Sequence, residues 1–455
     1  MAYLEPGAYA KVIEQLPASV GSAPAMTPLV MGSALTKLQT TELMTRGATG
    51  DIDALPRKAV SIVKVGLSKD QSDFVDTTDY VLSADKLSVE WKTASSKKPV
   101  AGTKYFVTFI YEVDDTYYSP KLIYSADDIK KYIGNDIKLQ SDGGGGINRL
   151  AVGAQIMIDM GVSPVIALPV KPNEQGQVNA VQYTAAINTF VNFMDNAWRI
   201  VPMDWDDDIN AAVLNHVIAM EDFLERKERC AIFNKKHEAF VDFETLLTQF
   251  GGYTSALKNS KIISVYPDKA TKLLSDGNYY TLDAPFVCCS VAALQASKSV
   301  EQSMTRSQIN VFNTLLGLPM LRKQLNAVAE KGVTLLEQKQ GAGTPVVVRH
   351  ALTTNMLNAQ TCEPSVQAVE DYTKKFIRNI ADNYIGKYNI TPDLITKING
   401  AITSGLLTLQ ESGIILGGRI VSLAQDKNNP DTLILVVEVK VPYPCNKIMI
   451  TILAS

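Results

Sequence analysis

Between about residues 120 and 345, short and largely apolar runs alternate with stretches patterned at helical spacing. This order restricts the fold more than any other feature of the chain. INRLAVGAQIMIDMG (147–161) reads as a helix and PVIALPV (164–170) as a strand with no polar face. QYTAAINTFVNFMDN (182–196) is helical and AWRIVPMD (197–204) extended. INAAVLNHVIAMEDFLERKER (209–229) is a long helix with a charged end, followed by the strand CAIFN (230–234). FETLLTQFGGYTSAL (243–257) is helical, SKIISVYPD (260–268) extended, and APFVCCSVAALQAS (284–297) starts as a buried run that turns into helix. A strand apolar on both faces needs cover on both, and βαβ crossovers supply it. The segment 119–343 is therefore expected to form a three-layer α/β core with a largely parallel sheet.

At 455 residues the chain exceeds one such core, and its other stretches have a different texture. Residues 1–22 mix apolar side chains with Pro6, Gly7 and Pro17 and read as an extended arm. PLVMG opens a first core strand within 23–49. From 50 to 118, VSIVKVGL, DYVLSADKLSVEW and TKYFVTFIYEV are β-branched and aromatic runs separated by turn residues, as in an inserted all-β domain. A helix resumes at SADDIKKYIG (125–134), with Ser125 as its cap. The segment 344–441 begins with TPVVVRHALTTN and continues as a helix after Pro364. A second helix starts at Thr391-Pro392, and a pair of strands turns at Asn428-Asn429-Pro430, giving a small α+β domain. Residues 442–455 begin with Pro-Tyr-Pro and end as a strand in which Ile448, Ile450 and Ile452 alternate with Lys447, Met449 and Thr451.

The chemical signals are few. SDGGGGINRLAVG (141–153) puts four glycines before a helix, but lacks the lysine and hydroxyl of a phosphate loop and reads as a connection. The run MDWDDD (203–208) clusters four carboxylates without the alternation or turn glycine of a calcium loop. It suits the start of a helix, where the dipole favours acidic residues. His216, His237 and His350 have no partner at zinc spacing, and Cys288-Cys289 sits in an apolar run that reads as core. No catalytic constellation and no cofactor site is expected.

The five cysteines form no CxxC pair and read as reduced thiols of a cytoplasmic product. A net charge of −3 argues against nucleic acid as a partner. No run approaches the roughly 18–20 apolar residues that span a bilayer, so insertion into a membrane is not expected. The N-terminus lacks the charge and apolar pattern of an export signal.

Two proline-delimited, partly apolar arms remain. An unpaired strand is an aggregation liability unless buried, and addition to a sheet edge of another molecule buries it. Donor and acceptor on different copies make a head-to-tail contact, which propagates into rings or helices. The order of these features resembles the tail sheath proteins of contractile-tailed bacteriophages. YLEPGAY (3–9) is similar to that family's N-terminal arm, PLVMGSA (28–34) to its first core strand, and SKIISVYPD and VVVRHALTT to its core and C-terminal domain. VEVKVPYPCNKIMITI (437–452) is similar to its closing strand, linker and strand. The resemblance covers most of 1–45 and 120–455. The stretch 50–118 matches only the variable outer domains that such sheaths carry.

The resemblance implies a structural subunit, not an enzyme. Such subunits polymerise as stacked rings or a helix around a tail tube protein, bounded by baseplate and tail terminator proteins. They are assembled in the host cytoplasm, belong to the virion tail, and contract to drive the tube through the host envelope. It implies that Ile448, Ile450 and Ile452 of one copy, with Tyr9, Val12 and Ile13 as the N-terminal counterpart, add to an acceptor hairpin of another copy containing Ile420, Leu435 and Val437. By the family's layout the C-terminal domain faces the tube, which makes Lys374, Lys375 and Arg378 candidates for contacting it; read from residues alone they form a solvated helix face. Two other classes fit the same sequence: a sheath subunit of a related bacteriocin or secretion machine, and an α/β enzyme using the acidic run or glycine loop.

Overall fold

The structure, a computed structural model, describes residues 26–48, 50–138, 146–190, 196–222, 225, 227–338, 344–446 and 448. The described residues form two compact units: 26–299 with 303–364, and 300–302 with the residues from 365 onward.

The larger unit contains the expected α/β core. Its nine-stranded sheet runs in the order Gln308–Ile309, Val346–His350, Val333–Gln338, Ile262–Tyr266, Cys230–Ile232, Ala197–Pro202, Thr27–Ser33, Val165–Val170, Lys121–Ile123. The six strands from Val333–Gln338 to Val165–Val170 are parallel, and the three at the two edges are antiparallel. Alternation along the strands explains the layers. Leu29 and Met31 join Ile166, Leu168 and Ile200 against helices Ala180–Phe190 and Asp207–Met220, while Val30, Ala167 and Val201 meet helices Arg149–Asp159 and Ala284–Ala296 on the other face.

Several expectations change at this level. APFVCCSVAALQAS, expected as a buried run turning into helix, is helical from Ala284; Ala284 to Gln295 are all buried, so no polar face marks the turn period. The helix expected over 209–229 spans Asp207–Met220, with Asp206 accepting from the amides of Asp208 and Ile209 as its cap. The all-β region begins before residue 50: Lys37–Thr45 pairs along its whole length with Lys104–Glu112, which also pairs Ala59–Gly66. A second small sheet joins Ile52–Ala54, Ser88–Trp91 and Tyr80–Leu82. KLQTTELMT has only Leu38 and Met44 buried, too sparse a pattern to announce a strand without its partner. The boundary placed at 344 also moves. Val346–His350 belongs to the nine-stranded sheet, and the second unit takes up the chain at 365.

The second unit is the small α+β arrangement expected from the sequence. Helix Pro364–Ala381 leads to helix Pro392–Glu411, which starts with Thr391 accepting from the amide of Leu394 and with proline in its first turn. Strands Gly417–Gln425 and Leu433–Lys440 pair as an antiparallel hairpin.

Candidate assembly site

The hairpin owes its position to two glycines. A Cβ at Gly405 would lie 2.4 Å from Ile380 Cδ1, and one at Gly418 would lie 2.9 Å from Leu406 Cδ2. The absence of side chains there lets the two helices, and the hairpin above them, approach closely. Val369, Phe376, Ile380, Ile398, Ile402, Leu406 and Leu409 form the small core. Ile420, Leu423, Leu433, Leu435, Val437 and Val439 rest on it, partly buried.

Ile420 and Val437 are register partners, and Leu435 pairs with Leu423, so all three acceptor candidates lie in one sheet on its helix-facing side. The opposite face carries Val421, Ile434 and Val436 at 57%, 49% and 45% exposure, beside an ion pair of Arg419 and Glu438 (2.6 Å). Among the described residues this sheet has two strands only, so each has an outer edge unpaired. Beyond the hairpin, residues 441–446 form no regular element, Cys445 is exposed, and Ile448 is 80% exposed. Ile450 and Ile452, and Tyr9, Val12 and Ile13, lie outside the described residues.

The three cations do not present one surface. Lys374 is exposed and Arg378 half-buried, whereas Lys375 is only 8% exposed. Lys375 is therefore withdrawn from the set of contact residues: helical rotation turns its side chain away from the face that Lys374 occupies.

The rival catalytic site was expected around the acidic run. Arg149, Asp204, Asp206, Asp208, Lys236 and Asp283 do line a crevice at the carboxyl ends of Thr27–Ser33 and Ala197–Pro202, where open parallel sheets often bind ligands. Asp204, Asp206, Arg149 and Asp283 are engaged internally. Asp204 accepts from the Ser33 amide (2.7 Å), the Ser33 hydroxyl (2.5 Å) and the Tyr183 hydroxyl (2.9 Å). Asp206 caps a helix, and Arg149 bridges the Met203 carbonyl (2.6 Å) and Asp283 (2.7 Å). Asp204 thus ties the first core strand to a neighbouring strand and a helix. Asp204→Asn is expected to lower stability by about 1–3 kcal/mol, because an amide cannot accept from all three donors. Denaturant unfolding monitored at the core tryptophans checks this.

The histidines are likewise structural. His237 is stacked on Phe240 at 4.0 Å and bonded to Asp268 at 2.6 Å. His216 contacts Arg229 at 2.7 Å and is pushed down to about 3 by burial and by the nearby Arg229 and Lys227 charges. Burial raises the thiols of Cys288 and Cys289 far out of the nucleophilic range. Among the described residues, no group of three or more His, Cys, Asp or Glu side chains is placed to hold a metal, and no helix is long and apolar enough to cross a membrane. Of the glycine run 143–146, the first three residues lie outside the described residues.

Residues 24–119, which carry the first core strand and the all-β region, match a family described as a domain of unknown function (DUF4815). The chain is 25% identical over 342 residues to a tail sheath protein of Mycobacterium phage Bxz1. The match takes in 74% of this chain and 56% of that one, so the chain spans little more than half the length of this relative. Its fold is that of contractile sheaths. It superposes on the helical sheath of the anti-feeding prophage in its contracted state with a TM-score of 0.61, at 12% identity over all of both chains. The contracted PVC sheath complex of an extracellular contractile injection system gives a TM-score of 0.58, at 12% identity over 100% of this chain and 99% of that one.

Proposed function

We propose that this chain is a structural subunit of a contractile phage tail sheath, polymerising around a tail tube and contracting to drive that tube through the host envelope. The observation that carries the reading is the sheath fold extending over the whole length of both compared chains, joined to sequence similarity with a phage tail sheath protein. The open-edged hairpin supplies the physical means of assembly. Main-chain donors and acceptors at an unpaired edge bind an extended segment without needing a deep pocket.

In this reading the terminal arms of neighbouring copies complete the hairpin sheet. Pro442 and Pro444, with Pro6 and Pro17 at the other end, are linkers that keep the strands joined while the subunits shift. No bond is made or broken. The energy of contraction is the difference between two packings of the same subunits, stored at assembly. The subunit is not an enzyme, and it is a component of the virion tail, put together in the host cytoplasm with tube, baseplate and terminator proteins. Lys374, with Arg378 beside it, is the remaining candidate for touching the tube.

A second reading, a sheath of an injection machine other than a phage, is favoured by the origin of the two fold relatives. Capsid and terminase genes beside this one would support the phage, and an unfoldase motor gene the secretion machine. Negative-stain electron microscopy of the full-length chain tests the common part of both readings. Long hollow striated cylinders are expected. Small uniform particles that persist when tube and baseplate proteins are supplied would overturn it.

A further inference from the structure

A small cavity of about 190 Å³ lies between strand Lys37–Thr45 and the loop after helix Ala126–Tyr132, both within the larger unit. Among the described residues it is lined by cations, amides and a hydroxyl, with no carboxylate. The strand supplies Lys37, Gln39 and Thr41, which share one face by the period of two, while Leu38 and Met44 are buried on the other. The helix and the loop supply Lys130 and Asn135. The cavity is built into the fold. Gly134 has φ +101°, and a Cβ there would lie 3.0 Å from both Leu35 Cδ1 and Leu38 Cδ2, so the loop reaches the strand because this residue is bare. The loop is also fastened from outside. The Ile133 carbonyl accepts from Asn148 Nδ2 (3.2 Å) and the Tyr117 hydroxyl (3.4 Å), and the Asp136 carbonyl from the Asn148 amide (2.7 Å).

The nearby carboxylates are turned elsewhere. Asp136 accepts from the Ser275 amide (2.8 Å), and Glu112, the register partner of Lys37, lines a different cavity with Arg57 and Asp114. Among the described residues Lys37 and Lys130 form no ion pair, and no hydrogen bond within the chain takes up the side chains of Gln39 or Asn135. A bare helix end would repel an anion, but here the Ile129 carbonyl accepts from the amides of Ile133 (2.8 Å) and Gly134 (3.0 Å), and the Ile133 carbonyl has its own two donors. Thr41 Oγ1 shares a hydrogen bond with Thr108 Oγ1 (2.9 Å) in which either can donate, so with Thr108 donating the Thr41 proton is free.

We propose that this cavity binds a single oxyanion of the phosphate or sulfate class. Lys37 and Lys130 supply the positive charge, and Gln39, Thr41 and Asn135 supply neutral donors to the remaining oxygens. Two ammonium groups around one small space repel each other, and an anion between them turns that repulsion into attraction. The volume falls below the roughly 300–1,000 Å³ of pockets for larger ligands and suits one tetrahedral ion. A bound ion would join the all-β region to the α/β core, and binding to the folded chain alone raises its stability. The site lies within one subunit and is independent of the sheath reading.

Titration of the full-length chain with inorganic phosphate in place of chloride, at constant ionic strength, tests the assignment. Calorimetry reads binding and thermal unfolding reads stability. Saturable binding and a rise in the unfolding midpoint are expected. A charge-assisted bond is worth about tenfold or more in affinity, so Lys37→Met combined with Lys130→Met should weaken binding about a hundredfold. Lys131→Met is the control: its ammonium lies over the Tyr132 ring (4.8 Å) and not in the cavity, so it should change affinity by less than about twofold. Gln39→Glu keeps the size of the side chain but puts a carboxylate in the cavity, and should abolish binding while circular dichroism shows the fold intact. Methyl phosphate bound as tightly as phosphate would mark the terminal group of an ester as the ligand, and its exclusion would mark the free ion. No saturable binding by the unsubstituted chain, or equal losses in Lys131→Met and the double variant, would overturn the proposal.

Discussion

Deletion of residues 446–455 is expected to abolish polymerisation while leaving the unfolding transition of the single subunit where it was. Ile448 is 80% exposed, and Cys445 is also exposed. A side chain that buries almost nothing in its own subunit contributes almost nothing to that subunit's stability. In an assembled sheath the same segment would bury three isoleucines, at about 1.5–3 kcal/mol each, and pair its backbone with the hairpin. Losing the three side chains alone removes about 4 kcal/mol or more per contact, about a thousandfold in association constant. A head-to-tail lattice multiplies that loss along its length. Sedimentation and electron microscopy read the assembly, and thermal unfolding by circular dichroism reads the subunit. Tubes formed by the shortened chain would show that this segment is not the connecting strand.

Asp53→Ala should cause a large loss of stability in the all-β region. Asp53 is 5% exposed and accepts four hydrogen bonds: from the Tyr105 hydroxyl (2.7 Å), the Trp91 indole (2.8 Å), the Gly47 amide (2.8 Å) and the Arg46 guanidinium (3.3 Å). Trp91 is itself the hub of an edge-to-face aromatic cluster with Phe74, Tyr80 and Tyr105. Removing the carboxylate strands buried donors and takes from Arg46, 4% exposed, its most buried counter-charge. Asp51 remains at 2.9 Å as partial compensation. Breaking a buried pair in this way costs about 3–5 kcal/mol, and the retained Asp51 places this case near the lower figure. Amide exchange of Ile52–Ala54, Ser88–Trp91 and Lys104–Glu112 should rise, and unchanged protection there would refute the argument.

The same site makes a prediction about acid. Burial pushes the Asp53 carboxyl up, but the bonds from Tyr105, Gly47 and Trp91, and then the Arg46 charge, outweigh it and hold the group below the ordinary carboxylate value. A folded-state value below the unfolded one means stabilisation that is fully present above the unfolded pKa. It is lost as pH falls through the folded one. The difference in stability between the native chain and Asp53→Asn should therefore narrow below about pH 4.

The parts of the molecule that were legible in the sequence are those whose signal is local. PVIALPV is apolar on both faces because it lies in a covered parallel sheet. Thr391-Pro392 marks a helix start through its own hydroxyl and fixed φ, and the run around Asp206 through its own carboxylate. The hairpin strands showed the period of two, and Ile420, Leu435 and Val437, proposed as acceptors, lie on one side of one sheet. The crevice beside Asp204 had a sequence signal as well, but only distances could show that its carboxylates are occupied by Ser33, Tyr183 and Arg149.

What the order of residues determined by itself is the alternation of strand and helix, and the caps. Each of these depends on neighbours within a few positions along the chain. Tertiary structure alone decided the rest. KLQTTELMT became a strand because Lys104–Glu112 was there to pair with it, and Val346–His350 went to the large sheet because Val333–Gln338 offered an edge. FVCCSVAAL is helical because neighbouring elements bury it on every side. The four donors of Asp53 come from positions between 46 and 105, and no spacing along the chain predicts that they meet. The bulge at Val421, which makes one hairpin edge regular and the other not, is a property of the register between two strands and exists only once both are paired.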